Sequence, residues 1–416
     1  MVRILHTADW HLGHTLRGHS RGYEHETVLT ALVEIVQEKE IDVLLVAGDV
    51  FDSQHPSGES QTLFYRTLAR LYRARPQMQV VVIAGNHDSA GRLEAPHPLL
   101  ESFNVSIVGN VHRADGRINF SRHLRTLTNE SREPFLHVLA LSYPTAACLP
   151  PISSADLEVE ESNIIRSVRT LYDELHAELL PRLSGLPFIV MGHLHVRGAV
   201  TSEGAERRIL VGGQHAVPSS IFPEDAAYVA LGHLHKAQFV DPRQTVRYSG
   251  SLIPLSSTEQ PYQHGVSFIT IDGGAATCEH IEIVRPVDFL NIGSDGDGIR
   301  LSELTDHLRQ LNLPTDMEQH LKPFVHIRLS RQGLGSGFRE QIESIASGFP
   351  VRIVDARPDP VSEAIQVSAA ASGMSISLAQ ISPEEMFQKA FRQRIKVEPT
   401  EAQLKIFHNA YAEAQE

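Results

Sequence analysis

The sequence predicts a layered α/β protein with a second, smaller α/β unit and a helical tail. Three observations lead there. Short apolar runs, rich in β-branched residues and leucine, recur through the first two-thirds of the chain, each ending in a small or polar cluster. Segments of helical period separate the first of these runs. Near Arg285 and Pro286 the pattern changes. A chain of 416 residues has room for two or three such units.

Taken in order, the runs are "VRILHTADWH", "DVLLVAGDVFD", "VVVIAGNHDS", "PFIVMGHLH", "AAYVALGHLH" and "TVRYSGS". Runs this apolar read as strands covered on both faces. Between the first two, Val28, Leu29, Leu32, Val33 and Val36 fall on one helical stripe. Phe64, Leu68, Leu71 and Tyr72 do the same before the third. Strand, helix, strand, helix implies a layered domain whose strand-end loops form the natural site.

This larger unit is assigned to residues 1–285 and the compact second α/β unit to 286–360. The second contains "LSELTDHLRQL" as helix, "PFVHIRLS" as strand, "FREQIESIA" as helix and "VRIVDA" as strand. Residues 361–379 are small and polar, the composition of a linker. Residues 380–416 read as two helices, each opened by a capping box: Ser382-Pro383-Glu384-Glu385, and Thr400 with Gln403. Their apolar stripes, Met386, Phe387, Ala390 and Phe391 on one and Leu404, Phe407 and Tyr411 on the other, suit packing at home or docking in a partner's groove.

Composition narrows the class. Apolar content of 42% and charged content of 21% are those of an ordinary globular protein. No signal peptide or membrane span is expected, which with only two cysteines, Cys148 and Cys278, points to the reducing cytoplasm. The cysteine count also leaves no thiolate-rich zinc site. A net charge of -13 argues against a generally basic nucleic-acid binder, though not against a nuclease whose cations supply the missing potential.

The chemistry gathers at strand ends. The first run delivers Asp9 and His11, the second Asp49, the third Asn86, His87 and Asp88. Two G-H-L-H stretches add His193 with His195, and His233 with His235. Residues two apart on an extended segment share a side, so Asp9 and His11, or His233 and His235, can meet one centre. Carboxylates, an amide oxygen and imidazoles without thiolates suit manganese or magnesium better than iron or zinc. Two divalent ions, with Asp9 and Asp49 neutralising half of their charge, would leave a balance matching one phosphodiester and one hydroxide. Singly, each cluster is a common turn; five in this order are not.

The order D-x-H, G-D, G-N-H-D, G-H, G-H-x-H resembles the calcineurin-like metallophosphoesterases over roughly the first 285 residues. "HTADWHLG", "VAGDVFDSQHPS", "AGNHDS", "ALGHLHKAQ", "RYSGSLIPLSSTE" and the tail "ISPEEMFQKAF" are similar to those of the SbcD family of bacterial nuclease subunits. That resemblance implies a four-layer α/β/β/α sandwich with a capping domain. It implies two divalent cations, Mn2+ or else Mg2+. Asp9, His11, Asp49 and His235 would hold one, and Asp49, Asn86, His193 and His233 the other. His87 would stabilise the transition state or donate a proton, with Asp88 orienting its ring. His195 departs from the pattern and is expected beside the site or on the surface.

The resemblance further implies 3′-to-5′ exonuclease action on duplex DNA and endonuclease action on single strands and hairpins, in DNA repair and recombination. The implied partner is an SbcC-type, SMC-like ATPase docked on the C-terminal helices, with a homodimer inside a heterotetramer. Arg17, His19, Arg21 and His55, in loops after the ligands, are candidate DNA contacts. Two rivals share the scaffold: a phosphodiesterase or phosphatase acting on small nucleotides, and a catalytically silent DNA-end-binding scaffold.

Overall fold

The computed structural model describes residues 1–114, 117–149, 163–202, 216–293, 298–331, 334–335, 337–358, 391, 399–400 and 403–404. The expected linker 361–379 and most of the helix pair 380–416 lie outside the described residues. Residues 1–359 form one compact unit and 360–416 a second.

The apolar runs are strands, and their two faces serve two cores. In Val43–Ala47, Leu44 and Val46 turn toward a core shared with the helices Gly22–Glu38 and Gly58–Ala74, while Val43, Leu45 and Ala47 turn the other way. That second direction meets Val138, Ala140, Ile189, Met191 and Ala230 of a second sheet. The second sheet's far face is covered by the helix Asn163–Leu179 through Ile165, Val168, Leu171, Tyr172 and Leu175. Helix, sheet, sheet, helix is the four-layer sandwich. Burial on both faces is why these strands lack alternation, and each buried valine or leucine contributes about 1.5–3 kcal/mol. The helix Gly58–Ala74 is started by Ser57, whose hydroxyl accepts the Ser60 N–H at 3.1 Å.

The first sheet runs Ala275–Glu282, Gly265–Asp272, Val2–Thr7, Val43–Ala47, Gln79–Ile83, Val105–Val108. Its last four strands are parallel. The second runs Gln238–Phe239, Val246–Tyr248, Tyr228–Gly232, Phe188–His193, Pro134–Ala140, Leu124–Thr128, with its middle four parallel.

Within the same compact unit, Phe289–Ile292, Phe324–Leu329 and Arg352–Pro358 form a separate three-stranded parallel sheet. One face packs on the helices Leu304–Gln310 and Phe338–Ala346 through Val325, Ile327, Leu329 and Leu304. The other carries Phe289, Phe324 and Val354 and receives Leu16, from the two-stranded ribbon Thr15–Leu16 and His19–Ser20 that follows His11. Among the described residues no helix is long and apolar enough to cross a membrane, and Cys148 and Cys278 are free thiols.

In the second unit the expected capping box at Thr400 is present. The Gln403 side-chain oxygen accepts the Thr400 N–H at 2.8 Å, and the Thr400 hydroxyl accepts the Gln403 N–H at 3.4 Å.

Candidate metal centre

Parallel pairing decides which strand ends meet. Val2–Thr7, Val43–Ala47 and Gln79–Ile83 are neighbours in one sheet, Phe188–His193 and Tyr228–Gly232 in the other. The loops that leave them bring Asp9, His11 and His235 together, with donor atoms within 4.8 Å of one another. Asp49, His193 and His233 gather in the same way. Asp49 lies between the two groups: its Oδ2 is 3.7 Å from His11 Nε2 and 3.3 Å from His193 Nε2. Asn86 joins the second group, its Oδ1 lying 3.1 Å from His193 Nε2 and 2.9 Å from His233 Nδ1.

The backbone is bent to achieve this. Asp9, His11, Asp49 and His233 all hold positive φ, at 53°, 45°, 48° and 102°. Each such residue costs on the order of 1–3 kcal/mol, and cross-ties hold them there. The Asp9 N–H donates to the Gly48 carbonyl and the His11 N–H to the Asp49 carbonyl, each at 3.0 Å. The His233 N–H donates to both Asp9 carboxylate oxygens, at 3.0 and 3.2 Å. Glycine is required beside them. A side chain at Gly48, itself at φ 91°, would strike the His193 ring, and one at Gly85 would strike the Asp49 carboxylate.

His193, His235 and His87 are each oriented by a hydrogen bond on one nitrogen. His193 Nδ1–H donates to the Ala47 carbonyl at 2.8 Å, which leaves Nε2 facing Asn86 and Asp49. His235 Nδ1–H donates to Glu259 at 2.8 Å. His11 Nδ1 lies 3.3 Å from Asp52 Oδ1. His87 Nδ1–H donates to the Asp52 main-chain carbonyl at 2.8 Å, and its N–H donates to Asp49 Oδ1 at 2.8 Å.

Electrostatics split the carboxylates. Burial pushes the Asp9 carboxyl up, against the pull of His193 and His235. Burial acts on Asp49 too, but the charge and hydrogen bond of His193, with His11 and His87, hold it far below its usual range. Burial disfavours a charged His193, yet Asp49 lifts it to about 9. His233 goes the opposite way, pushed well down by burial and by neighbouring His193.

Do these residues fit divalent ions? With its Nδ1–H committed to Ala47, His193 turns Nε2 toward the Asn86 carbonyl and the Asp49 carboxylate, a position that calls for positive charge. A proton on Nε2 supplies it in the metal-free chain, and a divalent ion would supply it in the proton's place. Both ring nitrogens of His11 are buried without a hydrogen-bond partner, a costly arrangement for a group with no role to fill. Hard oxygen donors and imidazoles in two adjoining groups meet the requirement of divalent metal ions.

Two expectations are corrected. The Asp88 carboxylate, expected behind the His87 ring, accepts the N–H groups of Val50, Phe51 and Gly85 at 3.1, 2.9 and 2.9 Å. It ties the Asp49 loop to the Asn86 loop, and burial, then the charge of Asp49, raises it to about 6. Arg21 is not placed to meet DNA. Its side chain is fully buried, paired with Glu24 at 2.6 and 2.8 Å and bonded to the Pro254 carbonyl. Arg17 is 61% exposed, 3.6 Å from Asp355. His55 is exposed, and His19 is half-buried beside Phe324. His195 is half-buried, its ring 6.4 Å from that of His233.

Sequence reasoning missed Asp52 and Glu259. Asp52 follows Asp49 by three residues, a detectable signal; Glu259 ends the stretch "RYSGSLIPLSSTE", but nothing in the spacing ties it to His235, 24 residues away.

A strand-end centre of this composition on a four-layer sandwich defines a class, and residues 2–237 match the calcineurin-like phosphoesterase family. The chain therefore belongs to the calcineurin-like phosphoesterases. Residues 298–394 match a family described as type 5 capsule protein repressor C-terminal domain.

Among curated relatives, the SbcD subunit of the nuclease SbcCD from Rhodobacter capsulatus is 39% identical over 94% of this chain and 94% of its own length. The protein of the same name from Bacillus subtilis is 36% identical over 66% of this chain and 67% of its own. That from Escherichia coli is 29% identical over 93% and 92%. Within its class, the chain is a member of the SbcD family.

Proposed function

We propose that the chain is a metal-dependent DNA nuclease that hydrolyses phosphodiesters at a centre of two divalent ions. The convergence of Asp9, His11 and His235 with Asp49, His193 and His233, Asp49 lying between them, carries this reading. Asp9, His11, Asp49 and His235 hold one ion; Asp49, Asn86, His193 and His233 hold the other. The donor set suits Mn2+ first and Mg2+ second. When bound, such ions supply Lewis acidity that polarises the phosphate ester and makes water a stronger nucleophile near neutral pH.

His87 provides the remaining proton chemistry. Its Nδ1–H is committed to the Asp52 carbonyl, so Nε2 is the atom that meets the ester; in the doubly protonated ring the Nε2–H would stabilise charge or pass its proton to the departing oxygen, leaving the neutral Nδ1–H imidazole. The His87 N–H on Asp49 keeps the ring in register with the ion-binding carboxylate. Asp88 acts at one remove, by fixing the two loops to each other.

Arg17, His19 and His55 are the DNA-contact candidates that this reading retains. Residues 1–285 are the catalytic domain and 286–360 a capping domain. Residues 380–416, after a linker at 361–379, dock on an SbcC-type ATPase. The names of the relatives and the box at Thr400 and Gln403 support the docking. Exposed Leu99 and Phe103, the latter 5.2 Å ring to ring from Tyr72, suit a second copy of the chain.

The test is cleavage of hairpin DNA and of a chromogenic phosphodiester by the manganese-loaded chain, with and without SbcC-type ATPase and ATP. Hairpin cleavage is expected; hydrolysis of the small ester alone under every condition would contradict it. Deleting residues 380–416 should abolish co-purification with the ATPase and spare hydrolysis of the small ester.

A further inference from the structure

The segment "SLIPLSSTEQPYQHG" holds a buried carboxylate that the centre described above does not contain. Glu259 is fully buried, in the turn Ser257–Glu259. Its Oε1 accepts His235 Nδ1–H at 2.8 Å and the Ser202 hydroxyl at 3.0 Å, and its Oε2 accepts the Leu255 N–H at 2.8 Å. Burying a carboxylate is unfavourable, and three donors on two oxygens are what make it tolerable.

The loop around it is pinned on both sides. Arg21 donates to the Pro254 carbonyl, and Arg285 to the carbonyls of Gln260 and Tyr262, the latter at 2.9 Å. A rigid loop thus presents one carboxylate oxygen to the back of one imidazole.

We propose that Glu259 is a positioning residue for the ion held by Asp9, His11, Asp49 and His235. It fixes His235 as the Nδ1–H tautomer and makes Nε2 the ligating atom. A carboxylate behind an imidazole also raises the basicity of the other nitrogen, which strengthens it as a ligand. The effect belongs to one ion. His193, on the other side of Asp49, is oriented by the neutral Ala47 carbonyl instead. This inference rests on the two-ion reading and deepens it.

The experiment is calorimetric titration of the metal-stripped full-length chain with Mn2+, comparing the unsubstituted chain, Glu259→Gln and Ser202→Ala. Two ions should bind the unsubstituted chain. In Glu259→Gln one of the two should weaken by about 10–100-fold and the other stay within about twofold; Ser202→Ala, which removes one donor but keeps the carboxylate on His235, should retain two ions and show a smaller weakening confined to the same ion. Two ions of unchanged affinity in Glu259→Gln would overturn the inference and leave the two-ion reading standing. Fewer than two ions in the unsubstituted chain would overturn both. A second measurement does not depend on the variant folding: long-range 15N correlation spectra of the magnesium-loaded chain should show His235 as the Nδ1–H tautomer. The Nε2–H tautomer would overturn the inference.

Discussion

The two halves of the centre each bring two imidazoles beside Asp49 but are backed differently. Around Asp9, His11 and His235, carboxylates stand behind the imidazoles: Asp52 lies 3.3 Å from His11 and Glu259 lies 2.8 Å from His235. Around Asn86, His193 and His233, the corresponding partner of His193 is a main-chain carbonyl at 2.8 Å. A carboxylate can be removed by substitution, whereas a carbonyl in a strand cannot. The first half is therefore tunable through its surroundings and the second is fixed by the fold.

Substitutions can erase that contrast or sharpen it. Asp49→Ala removes the group common to both halves, and we expect neither ion to be retained and no measurable turnover, read by metal analysis after gel filtration and by phosphodiester hydrolysis. His87→Ala leaves both halves whole. Two ions should remain while kcat falls by about 10²–10⁴-fold, the span expected for a lost acid or charge stabiliser; an unchanged kcat with both ions bound would remove His87 from the chemistry.

Acid sensitivity should come from outside both halves as well as from within them. Burial, reinforced by Arg247 for His6 and by Arg21 for His25, holds these rings at about 3, and burial holds His123 at about 4. All three are neutral in the fold, while the unfolded chain takes up protons below about pH 6.5. Stability is complete above that pH and falls as pH drops toward about 3–4, by up to about 1.4 kcal/mol per pH unit for each ring. Urea midpoints at pH 7 and pH 5 measure this, and equal midpoints would contradict it. The smallest effect is expected for Arg285→Ala, which loosens the Glu259 loop at Gln260 and Tyr262 without touching a ligand. The ion beside His235 should weaken by about twofold to threefold and the other not at all, in the same titration.

Much of this was legible in the chain. Asp9, His11, Asp49, Asn86, His193, His233 and His235 stand out because each ends a continuous apolar run, and parallel strands bring such ends to one edge. What failed to show was what stands behind them. Asp88 adjoins His87 in sequence, but its side chain turns to the backbone of the Asp49 loop. Arg21 reads as a loop cation until Glu24, one helical turn on, is seen to neutralise it in the interior. Ser256 and Glu259 have the spacing of a helix-starting box, yet the carboxylate turns to His235 instead. Two strands of the three-stranded sheet, Phe324–Leu329 and Arg352–Pro358, were legible with the helix before each, whereas Phe289–Ile292 was not. Nor was the sheet's contact with Leu16, because nothing in the spacing of a sequence shows which face of a sheet a distant segment will cover.

The most direct test of the two-ion centre is a crystal of the full-length chain soaked in Mn2+ and measured for anomalous scattering. Two peaks bridged by the Asp49 carboxylate are expected, one also ligated by His235 and the other by Asn86, His193 and His233. A single peak, or two peaks that do not share Asp49, would contradict it.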